Sequence, residues 1–333
     1  MTGIDPGAAG PRLARFAARS MGSRLSLTVL GAGRGAAEAA WSAVEAEFAA
    51  VDAALSRFRA DSELTALNRA TGADVASGWT EVGRRSAGFL SGAWRAQRMT
   101  DGRFDVRVVE VLEALGEHGA AALAAPPVAD RGARWLTRDG RACRFRVARP
   151  VDSGGLGKGL ALRWATRAAG RAAPDAAGLL LDAGGDVVAR GSGPVDGAWM
   201  IGIEDPAAGD EPIAVIAARD TAVATSSTRV RRWTGPDGRP VHHIIDPAAG
   251  APASGGLLAV TVAMRDPAWA EVWTKALFVA GAGRIGPEAR ARGLAAWWIE
   301  EDGSLHLTPA ARSVTAWVRS EARPSGARAI AAG

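Results

Sequence analysis

The stretch Ser23 to Leu30 alternates, with Leu25, Leu27 and Val29 on one face. That is the two-residue period of a half-buried strand. From Trp41 the period changes: Trp41, Val44, Phe48, Val51 and Leu55 recur three and four residues apart. This spacing predicts an amphipathic helix of about five turns with one buried stripe. Asp61 or Ser62 is placed to cap a short helix carrying Leu64 and Leu67 and ending near Asn68. Thr80 is placed to cap another, with Val82, Phe89, Leu90 and Trp94 on its buried side. Residues 144–147 read as an edge strand. Leu160, Trp164, Ala165 and Ala168 mark the apolar side of a further helix.

The second half is richer in strands. Residues 179–181 turn through Asp182-Ala183-Gly184-Gly185-Asp186 into a second strand, and a third follows at 199–206. Residues 213–218 and 221–225 read as another pair, and 258–264 as a single strand. A helix is expected over 268–280, then a hairpin of 294–299 with 305–307 around Asp302-Gly303. The Ala/Pro-rich stretch 120–140 is expected to be a surface connection. Strands and helices mix without regular alternation, which predicts an α+β fold with mixed sheets and flanking helices rather than a doubly wound sheet. Residues 21–310 are expected to form a single domain, with 1–20 and 311–333 as flexible termini.

Composition narrows the class. The chain has 333 residues, 48% apolar and 23% charged, enough to bury a full core. A net charge of +5 is compatible with an anionic phosphate ligand, and no dense basic stretch interleaved with aromatics suggests nucleic acid. Cys143 is the single cysteine, which excludes an intrachain disulfide and Cys-rich zinc sites. No apolar run approaches a membrane span, and residues 1–20 lack the apolar region of a signal peptide. A cytoplasmic protein is expected.

Three stretches carry candidate chemistry. Residues 221–250 hold two of the four histidines. His243 stands three residues before Asp246, separated by Ile244 and Ile245, and Pro247 and Gly250 close a turn. An imidazole beside a carboxylate and the hydroxyls of Thr225, Ser226, Ser227 and Thr228 is raw material for general base chemistry. The same residues also describe a strand ending in an Asp-capped turn. The second stretch is Asp152-Ser153-Gly154-Gly155-Leu156-Gly157-Lys158-Gly159, a glycine-rich entry into a helix. Such an entry offers free backbone N–H groups to an anion, and Lys158 adds positive charge. Its glycine spacing is not that of a P-loop. The third, Thr100-Asp101-Gly102 with Phe104-Asp105, puts two carboxylates four apart across a glycine turn.

Taken in order, several stretches resemble the FAD:protein FMN transferase (ApbE-type) family. They are Met21-Gly22-Ser23; 55–68 (LSRFRADSELTALN); Thr100 to Gly102 with Phe104-Asp105; 152–159 (DSGGLGKG); 182–186 (DAGGD); 203–206; Thr225-Ser226; 243–247 (HIIDP) with Gly250; and 271–281 (EVWTKALFVAG). The resemblance implies the family's own α+β fold and an enzyme that moves FMN from FAD to a Thr or Ser of a partner flavoprotein, releasing AMP. It implies that Met21, Phe58, Thr100, Asp101, Gly102, Asp152 and Lys158 line the FAD site. Gly184, Gly185, Thr225, Ser226, Ile244 and Lys275 stand beside them, and His243 is the candidate base, accompanied by Asp246. A pyrophosphatase splitting FAD to FMN and AMP, and a non-catalytic FAD binder, are the alternatives.

The chain departs from the family pattern at three places. Phe58 stands where Tyr is frequent, and Ser227 where Gly is usual. The third bears on magnesium, which the resemblance places beside the pyrophosphate. A backbone oxygen near Gly155 and an Asp and a Thr four apart on the late helix would hold it. Here Glu271 stands for the Asp and Lys275 for the Thr, with Thr274 the nearest hydroxyl. Three outcomes stay open: an ammonium in the metal's place, a weakened metal site on Glu271 and Thr274, or an inactive protein.

Overall fold

The computed structural model describes residues 12–71, 79–119, 135–139, 143–206 and 211–320. Its framework is an eight-stranded sheet of Leu13–Ser20, Ser23–Leu30, Gly178–Ala183, Asp186–Gly191, Ala222–Ser227, Leu257–Met264, Ala295–Glu300 and Leu305–Leu307, in that spatial order. Every neighbouring pair is antiparallel. The sheet order follows the chain order, so the helices enter as excursions between successive strands.

The helices are α1 (Arg34–Leu55), α2 (Glu63–Arg69), α3 (Arg84–Met99), α4 (Val109–Ala114), α5 (Gly157–Ala172), α6 (Pro267–Ala280), α7 (Ala282–Ala291) and α8 (Pro309–Arg312). The stripe that predicts α1 is the one it buries: Val44, Phe48, Val51 and Leu55 pack with Leu25, Leu27 and Val29 of the sheet and with Leu160 and Ala165 of α5. The other face is covered by a three-stranded sheet whose Trp199, Ile201, Ile203, Ile213 and Ile216 pack on Val187, Val223, Ala259 and Trp297. α6 and α7 close the far end with Trp273, Leu277, Phe278 and Ile285. The fold is α+β, one antiparallel sheet between a helical layer and a small sheet. Among the described residues no helix is long and apolar enough to cross a membrane.

Several local expectations change. Residues 13–20, read as part of a flexible terminus, form an edge strand paired residue for residue with Ser23–Leu30. Residues 315–318 form an edge strand on Pro212–Ala218. The pairing therefore runs beyond 21–310 at both ends. Thr80 lies in a short strand, and Gly83 caps α3. Ser62, not Asp61, caps α2, its oxygen accepting from the Thr65 N–H. Arg144–Val147 is the middle strand of three, not an edge. Residues 212–218 and 222–227 are not partners; they belong to the two opposing sheets. Most of 120–140, and residues 1–11 and 321–333, lie outside the described residues.

Candidate active site

The glycine-rich loop before α5 is pinned from two sides. The Asn68 side chain closes both backbone bonds of Val151: its Nδ2 donates to the Val151 carbonyl at 3.0 Å, and its Oδ1 accepts the Val151 N–H at 2.9 Å. The Ser153 hydroxyl donates to the Leu55 carbonyl at 2.7 Å. Between these pins sits Asp152. Its Oδ1 is 3.0 Å from the Nε of Arg57, a guanidinium only 3% exposed that also faces Glu117 at 2.6 Å and Glu113 at 3.8 Å. The second Asp152 oxygen accepts the Gly154 N–H at 3.0 Å. Gly155 has no room for a side chain: a Cβ there would lie 2.7 Å from the Phe104 ring and 3.3 Å from Cδ of Lys275.

His243 faces this loop. Its Nδ1 is 3.3 Å from the carbonyl of Arg231, and its own N–H donates to that carbonyl at 3.2 Å. A carbonyl only accepts, so Nδ1 carries the proton and Nε2 keeps its lone pair. Burial, then the positive charges of Arg231 and Lys275, push the imidazole pKa down to about 3, so His243 is neutral at physiological pH. His242 is spent differently. Its Nε2 donates to the Ala253 carbonyl at 3.1 Å, its Nδ1 accepts the Ile244 N–H at 3.3 Å, and its ring packs edge-on to Phe278. Asp246 does not orient His243; its Oδ1 accepts the Ala248 N–H at 2.6 Å and shapes the turn closed by Gly250. A carbonyl twelve residues upstream takes the orienting place that the sequence suggested for a carboxylate.

Behind the loop lies a buried polar layer. Lys158 Nζ is 2.5 Å from Asp186, whose other oxygen accepts the Thr225 N–H at 3.1 Å. Lys158 therefore holds Asp186. Burial alone lowers the Lys158 pKa, but the charges of Asp186 and Glu271 outweigh it and keep the ammonium charged. Glu271, fully buried, accepts the Gly159 N–H at 2.8 Å and lies 3.5 Å from Lys275 Nζ through its other oxygen. Burial raises the Glu271 carboxyl above its ordinary value, opposed by Lys275 and then Lys158. Thr274 and Ser226 are buried against each other at 2.7 Å, and the Thr274 hydroxyl donates to the Glu271 carbonyl at 2.8 Å.

Asp152, Gly155, His243, Ile244 and Lys275 meet around one cavity of about 50 Å³ with Phe104 and Arg231. Other expected residues stand at its margins. Phe58 is 59% exposed, with the Arg57 guanidinium over its ring at 4.4 Å. Thr100 is buried, its hydroxyl donating to the Ala96 carbonyl and accepting the Phe104 N–H. That holds Asp101 at φ +52 and Gly102 at +79 in the left-handed turn ending α3. Met21, at φ +47, tops the first hairpin within reach of Gly157. Gly184 and Gly185 form the turn leading into Asp186. Sequence reasoning gave no site role to Arg57, Asn68, Asp186 or Arg231. All four lie in or at the end of stretches singled out for their motif or chemistry, which is the signal that was there.

The sequence model of the ApbE family matches residues 21–298. A Klebsiella pneumoniae (strain 342) protein named FAD:protein FMN transferase is 26% identical over 300 residues, 86% of this chain and 83% of that protein. A Salmonella typhimurium protein of the same name is 29% identical over 125 residues, where the chain spans only 35% of its length. Among solved structures, the crystal structure of the Thermotoga maritima ApbE protein superposes with a TM-score of 0.79 at 25% identity, covering 91% of this chain and 99% of that one. The apo form of the Pseudomonas stutzeri flavinyl transferase ApbE gives 0.75 at 23% identity, over 92% and 99%, a likeness of fold.

Proposed function

The chain belongs to the ApbE family, and on that premise we propose that it is a FAD:protein FMN transferase, moving FMN from FAD to a Thr or Ser hydroxyl of a partner flavoprotein. The observation that carries the reading is His243: a neutral imidazole with one nitrogen held by a carbonyl and the other left as a lone pair, in a cavity shared with Asp152, Arg231 and Lys275. The reaction needs a base for the hydroxyl and positive charge on the phosphate oxygens. Nε2 of His243 takes the hydroxyl proton. The hydroxyl oxygen bonds to the flavin-side phosphorus, the P–O bond of the pyrophosphate bridge breaks, and AMP leaves. Arg231 and Lys275 offset charge on the phosphates, and the bare backbone at Gly154-Gly155 lets them come close.

Magnesium, which the family resemblance implies, finds a poor donor set. Mg²⁺ takes about six oxygens in near-octahedral geometry. The Thr274 and Ser226 hydroxyls bond each other, Asp186 is paired with Lys158, and Lys275 stands beside the free oxygen of Glu271. The residues do not fit the ion, and no step is routed through it.

The test is incubation of the full chain with FAD and candidate acceptor flavoproteins. A flavin-fluorescent acceptor band that survives denaturing electrophoresis, with equimolar AMP, is expected. FMN and AMP without a labelled band would make the protein a pyrophosphatase, and FAD binding without AMP a carrier.

A further inference from the structure

We propose that the Lys275 ammonium serves as a built-in cation at the FAD pyrophosphate, so that this chain binds its dinucleotide without a divalent metal. The proposal rests on the flavin-transferase reading and concerns how the same site meets phosphate charge.

The geometry supplies three reasons. Lys275 lies along the cavity wall, its Cδ 3.3 Å from where a Gly155 side chain would begin, so its stem passes over the loop that approaches the phosphates. The ammonium has three N–H donors. One reaches the Glu271 carbonyl at 3.4 Å, and the Glu271 Oε1 lies 3.5 Å away. The other two donors are left for oxygens in the cavity, which the Lys275 side chain lines at 17% exposure. Glu271 Oε1, in turn, is a buried oxygen with no hydrogen bond. A divalent ion on that oxygen would stand within a few ångströms of a fixed ammonium, a like-charge contact with no compensating donors.

Arg231 lines the same cavity, paired with Glu117. Lys275 and Arg231 thus put two cationic side chains on the cavity wall, each with a carboxylate beside it. The bland alternative is that Lys275 merely neutralises a buried Glu271. That role would leave FAD affinity unchanged on removal of both charges together, which separates the two readings.

The experiment is calorimetric titration of FAD into the full chain, in excess EDTA and in millimolar Mg²⁺. The expected result is a wild-type affinity equal in both buffers within threefold. Lys275→Met, and the charge-balanced double variant Glu271→Gln with Lys275→Met, should each weaken binding tenfold or more, with circular dichroism confirming the fold. Lys275→Arg should retain affinity. Lys275→Thr with Glu271→Asp should bind FAD only when Mg²⁺ is added. Wild-type binding that EDTA abolishes and Mg²⁺ restores would overturn the proposal. So would unchanged affinity in the double Gln/Met variant. Absence of binding in both buffers would instead overturn the flavin reading beneath it.

Discussion

His242 and His243 are chain neighbours with opposite assignments, and the difference is written in their nitrogens. Both nitrogens of His242 are satisfied by backbone, whereas His243 keeps one free. His243→Ala is therefore expected to cost roughly 10²–10⁴-fold in transfer, the usual worth of a positioned base, while FAD binding persists. His242→Ala should cost far less, and an equal loss would show that the wrong imidazole carries the proton. The depressed pKa gives a second check. With its value near 3, His243 in the free protein should show no NMR titration of its ring protons between pH 5 and 8, and a midpoint near 6.5 would refute the depressed pKa. The linkage has a definite sign. The unfolded chain binds a proton at His243 below about pH 6.5 and the folded one does not. This group therefore makes the fold lose stability as pH falls from about 6.5 toward 3, and His243→Gln should flatten that slope in denaturant melts across the range. The sequence showed which imidazole preceded the carboxylate. It could not show that the orienting atom is the Arg231 carbonyl, because backbone acceptors leave no residue-type signature.

At the scale of elements, legibility followed the strength of the periodic signal. The stripe of α1 is regular and its helix runs to Leu55, where Leu55 was the last apolar position in register. The first strand, Leu13–Ser20, went unread because its sides alternate between exposed and half-buried, so arginine and alanine occupy places that a core strand gives to leucine. α7 was hidden by Pro287 inside it and Gly281 before it, both breakers in isolation. Arg57 looked like a surface residue, since charge normally marks solvent, yet three carboxylates hold it inside. The same reasoning makes the Asn68 clamp testable. Asn68→Ala strips the partners from both backbone groups of buried Val151, at about 1–3 kcal/mol per unsatisfied group, and frees the segment carrying Asp152. Lower stability in urea together with weaker FAD binding is expected; weaker stability with FAD affinity unchanged would place Asp152 outside the site. Gly159→Ala probes the seam of α5 and α6, where a Cβ would lie 2.5 Å from the Ala268 Cα. Overpacking of about 1–3 kcal/mol should appear as a lower urea midpoint.

For the whole molecule, the α+β class was legible because strands and helices follow one another without alternation, but the pairing of strands was not. Alternating residues mark a strand and its buried face; they do not name its neighbour. Residues 212–218 and 222–227 both carry apolar runs and are close in sequence, yet one faces the core from the small sheet and the other from the large one. The site depends on this arrangement, since 103–106, 152–155, 231, 243–245 and 275 come together only when the sheet and its helical layer are both formed. A ligand that spans those segments binds the native state alone and must stabilise it. At FAD one hundred times its dissociation constant, linkage gives about 2.7 kcal/mol, or a rise in melting temperature of about 4 °C for a chain of this size. The size of that rise should be the same in EDTA and in Mg²⁺ for the wild type. At the same FAD concentration it should shrink in Lys275→Met, because a tenfold weaker constant removes about 1.4 kcal/mol of linkage. A thermal shift that appears only with Mg²⁺ would return the phosphate charge to a divalent ion and leave Lys275 as the structural partner of Glu271.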